Sequence, residues 1–270
     1  MTGPILLLTL SLKRARTLLI ATGLLLAAFQ VLLVIIAGSI RPTEFDQLAS
    51  LLPPFVQNLL GPSLASVMSF GGIVSLGYFE LAIIIALLAL VIALATVPAS
   101  EIETGFADLI LARPLPRHWI ITRTIALVLF ATVTMLGAMT AGTWAGLALY
   151  APQDAQWPST AMIAWLALNL GLLMLCWAGI AMALGAACRR SVAGATTGLL
   201  ALATFLLDYV GRLWLPADRF AWLSPFRYFI PFDLVMGTPL PAENILVLLA
   251  IAMTGFTMAY FLFTQRDISH

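Results

Sequence analysis

Val97-PASEIETGFADLILARPLPRHWIIT-Arg123 is the stretch that decides how this chain is read. It is a charged, proline-bounded insert between two long apolar runs. Pro98 closes the preceding run, and Ser100 and Glu103 have the S-x-x-E spacing of a helix-capping box. Ile102, Phe106, Leu109 and Ile110 follow at helical spacing, so they share one apolar face. Acidic residues at the start, Glu101 and Glu103, and Arg113 at the end suit the helix dipole. Pro114 and Pro116 stop the helix, and Arg117 and Arg123 meet the headgroups where the next run begins. The expected product is a rigid amphipathic bar over 100–112, lying along the membrane surface.

The 270 residues around this insert are 62% hydrophobic and 9% charged, with a mean hydropathy of +1.05. A soluble domain carries about 25% charged residues. A chain this apolar belongs in a bilayer. Six runs reach the roughly 20 residues that a helix needs to cross: about 18–40, 73–97, 120–150, 160–187, 193–211 and 244–264. The expected fold is therefore an all-α integral membrane protein, a single transmembrane domain over 1–270. Basic residues orient it. Lys13, Arg14, Arg16, Arg113, Arg117, Arg123, Arg189, Arg190 and Arg266 fall on one side, and Arg41, Arg212, Arg219 and Arg227 on the other. Nine against four places both termini in the cytoplasm, in a cell (inner or plasma) membrane.

Residues 2–16 are apolar, then basic. They read as an interfacial helix on the inner leaflet or as an extension of the first span. The KRAR cluster follows the first apolar residues and no small-residue cleavage site appears, so no signal peptide is expected. Cys176 and Cys188 form no disulfide framework, and His118 and His270 form no metal motif. The net charge of +1 gives no case for a nucleic-acid partner.

Two external segments stand out. Over 41–72, Pro53, Pro54, Gly61 and Pro62 break a leucine-rich stretch into short pieces. Over 212–243, Trp214, Phe220, Trp222, Phe226, Tyr228, Phe229 and Phe232 lie among five prolines. Such short aromatic helices suit re-entrant elements or interfacial anchors. Trp214, Trp222, Phe226 and Phe229 are candidates for an external gate. Glu80 and Asp208 are ionisable groups within or near the spans and therefore candidates for a pathway, for ion coupling or for pairing with Arg212 or Arg41. Gly142 with Gly146, Gly194 with Gly198, and Ala181 with Gly185 are small-residue pairs that let helices approach closely.

A Walker A loop needs glycines and a lysine to hold phosphates. The only lysine, Lys13, sits in SLKRAR without an adjacent glycine, so ATP hydrolysis would need another chain. No H-E-x-x-H, G-x-S-x-G or paired-histidine motif appears, and no catalytic residue is expected.

The segment EIETGFADLILARPLPR resembles the cytoplasmic signature of type-2 ABC transporter permeases. Glu101, Glu103, Gly105, Asp108, Leu109, Leu111, Pro114 and Arg117 match it, and Phe106 stands where that family often has threonine. The motif covers about twenty residues, and the six-span layout extends the resemblance over the chain. The resemblance implies an exporter-type permease subunit that pairs with a second copy or a paralogue. ATP and Mg would be bound by separate ATPase subunits. The bar would be the coupling helix, with Glu101, Ile102, Glu103, Gly105, Phe106, Asp108, Leu109, Arg113 and Arg117 at the ATPase, and short re-entrant helices would precede span six. The competing expectation is an ion-coupled carrier or channel that uses Glu80 and Asp208.

Overall fold

The computed structural model describes residues 3–40, 66, 68–104 and 118–265, and all regular structure among them is helical. In chain order the helices are α1 (Gly3–Ser39), α2 (Phe70–Ser75), α3 (Leu81–Ala95), α4 (Val97–Glu103), α5 (His118–Tyr150), α6 (Thr160–Ala187), α7 (Arg190–Leu213), α8 (Leu215–Ala221), α9 (Pro231–Val235) and α10 (Ala242–Gln265). Single 3-10 turns cover Leu76–Tyr78 and Pro225–Tyr228. Six stretches are long and apolar enough to cross a membrane, and they coincide with the six sequence runs to within a few residues except at the start of α1. The protein is a multi-pass membrane protein.

α6 is the hub. Its most apolar window is 72% buried, against 22% for α7. It is apolar on every side, as a helix surrounded by others must be. Glycine sets the closest seam. A Cβ on Gly179 would stand 2.6 Å from the Ala252 carbonyl of α10, and one on Gly255 would land on the Gly179 backbone. α1 packs mainly on α5. Gly142 and Gly146 face Ala27, Val31 and Val34 there, so this GxxxG pair is consumed within the chain. By contrast, Gly198 of α7 has nothing within 4 Å. Ala193, Thr197, Ala201, Asp208 and Gly211 form the buried stripe of α7, and Leu199, Leu202, Leu206 and Leu213 point outward.

Two expectations are corrected. Residues 3–39 run as one unbroken helix, so the separate N-terminal interfacial helix gives way to the extension. The second span is not continuous over 73–97. It begins at Phe70, passes through the 3-10 turn and breaks at Phe79–Glu80. Tertiary contacts fix that break: the Gly77 backbone lies on the Gln30 amide, and the Tyr78 hydroxyl bonds Thr143 Oγ1 at 3.1 Å. The inner end of the span stops at Ala95. Thr96 Oγ1 donates to the Ile92 carbonyl, and Pro98 has no N–H to continue the ladder.

Candidate functional site

The insert leaves the membrane from a braced base. α4 begins just after Thr96, with Pro98 in its first turn, and ends at Glu103 with Thr104 as its C-cap. Ser100 is therefore inside a helix rather than capping one, and the capping-box reading is wrong. Of the bar expected over 100–112, Ser100–Glu103 lie in α4. Gly105, Phe106, Asp108, Leu109, Arg113 and Arg117 lie outside the described residues.

Three hydrogen bonds build the base. The Arg123 Nη2 of α5 donates to Glu101 Oε2 at 2.5 Å, with both side chains almost wholly buried. The backbone N–H of Arg190 donates to Glu103 Oε1 at 2.6 Å. The Arg190 guanidinium donates to Ser100 Oγ at 3.2 Å. Glu103 thus serves as an N-terminal cap supplied from another helix. Arg189, at the N-cap of α7, offers no side-chain cap of its own, and a carboxylate suits a helix start. Ile102 is half-buried against the core. The two ends of the insert, at Glu101 and Arg123, are clamped to each other, and α4 is tied to the first turn of α7.

This places Glu101 differently from the sequence reading. Its carboxylate is buried and paired with Arg123. Arg123 and Arg190 carry the clamp, although the sequence offered Arg123 as a headgroup contact and Arg190 only in the count of basic residues. The available signal was a lone arginine in the otherwise apolar ITRTI stretch, with an acidic residue on the far side of the insert.

The opposite end of the bundle holds a second polar group. Asp208 Oδ2 accepts from Arg212 Nε at 3.0 Å and Nη2 at 2.9 Å. Arg227 reaches Asp208 at 4.0 Å and Asp218 at 3.1 Å. Asp208 is buried and its arginines are half-exposed, so the group is a paired anchor for the segment after α7. Asp208→Asn leaves both arginines partly solvated and is expected to cost about 1–2 kcal/mol. Thermal melting in detergent would measure it, and Asp218→Asn, at a more exposed pair, should cost less.

Residues 215–235 descend along α7 and return. Ser224 Oγ donates to the Thr204 carbonyl at 2.8 Å, roughly 13 Å below the end of α7. The Tyr228 carbonyl accepts from Asn169 Nδ2 and Asn244 Nδ2 at 3.3 and 3.1 Å. The four candidate gate aromatics separate. Phe226 and Phe229 are buried, with the Phe226 ring 5.9 Å from Trp177 and 5.4 Å from Phe205. Trp214 and Trp222 are exposed. Glu80 is exposed at the N-cap of α3 and has no ion-pair partner among the described residues. No family model matches this chain, and no curated protein is similar to it.

Proposed function

We propose that this chain is the membrane-spanning subunit of an ATP-driven transporter, acting as a dimer and moved by separate ATPase subunits that grip the insert between spans two and three. The braced base of that insert is the observation that carries this reading. A push on residues 104–117 reaches α3 through α4, α5 through Glu101–Arg123, and α7 through Glu103 and Ser100. Those helices belong to spans two, three and five. A loop that only joined two spans would need no such bracing.

Other features support the reading. The outward face of α7, with Gly198 open and leucines around it, suits a second copy or a paralogue. Residues 215–235, turning back at the depth of Thr204, suit a re-entrant element on the outer side whose backbone is covered by α6, α7 and α10. The exporter direction, the coupling role of Phe106 and Leu109, and the cytoplasmic placement of both termini rest on the resemblance and on the basic-residue count. Asp208 is held by arginines, so of the two residues that the ion-coupled carrier reading uses, Glu80 is the one without an ion pair among the described residues.

Phe106→Asp tests the assignment. It places a charge on the expected apolar docking face while leaving every described contact in place. The expected result is normal membrane insertion with substrate-stimulated ATP hydrolysis reduced at least about tenfold. Unchanged stimulation would count against docking at the insert.

A further inference from the structure

Between α1 and α5 lies a groove of about 290 Å³, open to the surrounding bilayer. Leu12, Leu19 and Ile20 of α1 and Phe130 of α5 form its walls, and the aliphatic stems of Lys13 and Arg16 complete them with the charged groups outside. No acidic residue lines it. Both cations are exposed, and neither has an acidic partner among the described residues. Thr134 completes the lining, but its hydroxyl is spent on the Phe130 carbonyl at 2.7 Å. The groove surface itself is apolar, and the exposed charged ends of Lys13 and Arg16 stand at its mouth.

The depth of these charges follows from the helix pairing. Gly23 lies beside Ala138 and Gly142 beside Ala27, so α1 and α5 run parallel and in fixed register. That register brings Thr134 level with Leu19. From Arg16 to Ser39 the helix rises about 35 Å, close to the thickness of a hydrocarbon core. Lys13 and Arg16 thus stand at one headgroup layer, three residues apart on one helix face. Leu19, Ile20 and Thr134 lie on the hydrocarbon side of them.

We propose that this groove holds one anionic phospholipid, with its phosphate bound by Lys13 and Arg16 at the mouth and an acyl chain lying along Leu19 and Ile20. Arginine and lysine pair well with phosphate oxygens, and a cationic site at headgroup depth selects anionic over zwitterionic lipid. The apolar walls beneath the cations fix the source. A free phosphate would use only the charges, whereas a lipid fills both parts. Bound there, the lipid would bridge α1 to α5 and stiffen the contact between the first and third spans.

The test is native mass spectrometry of the full chain released from nanodiscs made of equal parts palmitoyl-oleoyl phosphatidylglycerol and phosphatidylcholine. The intact protein is expected to retain one phosphatidylglycerol in about tenfold preference. Lys13→Gln with Arg16→Gln should abolish that preference. Ile20→Trp, which fills the groove and keeps both cations, should abolish it as well. Arg189→Gln, which removes an exposed charge elsewhere, should leave it intact. Retention of the two lipids in bulk proportion by the intact protein would overturn the proposal. So would a preference that survives either groove variant in protein that still elutes as a single folded species.

Discussion

Glu101→Ala is expected to lower the apparent melting temperature in detergent by on the order of 10 °C, from a loss of about 3–5 kcal/mol. The reason is the fate of Arg123. Its guanidinium is almost fully buried and bonds Glu101 at 2.5 Å. Without the carboxylate, a positive charge stays in a low-dielectric environment unpaired. Breaking a buried pair from one side costs more than the pair contributes, because the remaining charge keeps its desolvation penalty. The double change Glu101→Leu with Arg123→Met removes both charges and should recover most of the loss. Stability and coupling should then part. The double variant is expected to fold and to bind an ATPase, yet to transmit its stroke to α5 poorly, since the clamp across the insert is gone. Equal stability of Glu101→Ala and the intact protein would mean that the pair is wet and weak.

Gly255→Leu is expected to give no folded protein, and Gly255→Ala to lose roughly 1–3 kcal/mol or more. Alanine is the better helix former by about 1 kcal/mol, so propensity alone would make the change stabilising. Geometry decides the sign. A Cβ at Gly255 meets the Gly179 backbone, and backbone in the middle of a 28-residue hub helix cannot turn aside as a flexible side chain can. The α6–α10 seam must open along its length. Gly198→Ala is the control. Nothing lies within 4 Å of that position, so a single folded subunit should be unaffected. Thermal melting of the three variants would separate the cases, and a harmless Gly255→Ala would mean that the seam is looser than described.

The six spans were legible because a bilayer demands about twenty apolar residues in a row, and composition alone reports that. The interruptions were less legible. The stop at Ala95 had a local signal in Thr96 and Pro98. The break at Glu80 had none as strong, since FGGIVSLGYFE contains no proline, and the break is fixed by Gln30 and Thr143 from other helices. The same limit applied at the insert. The S-x-x-E spacing read Ser100 as a cap, whereas it lies inside α4, and no local pattern says which partner waits for Glu101. Arg123 lies 22 residues from Glu101, and only the fold brings the two together. The aromatic run over 214–232 looked uniform in sequence. Its division into buried Phe226 and Phe229 and exposed Trp214 and Trp222 comes from the return of the chain along α7.

The most direct measurement is purification of the tagged chain from its native membrane in mild detergent, with stoichiometry and partners read by mass spectrometry. A transporter subunit should bring down an ATPase carrying a Walker A loop in a one-to-one ratio, and a photo-crosslinker at Phe106 should attach to it. An intact, folded protein without any ATPase, active when reconstituted alone under an ion gradient, would contradict the assignment and make Glu80 the residue to titrate.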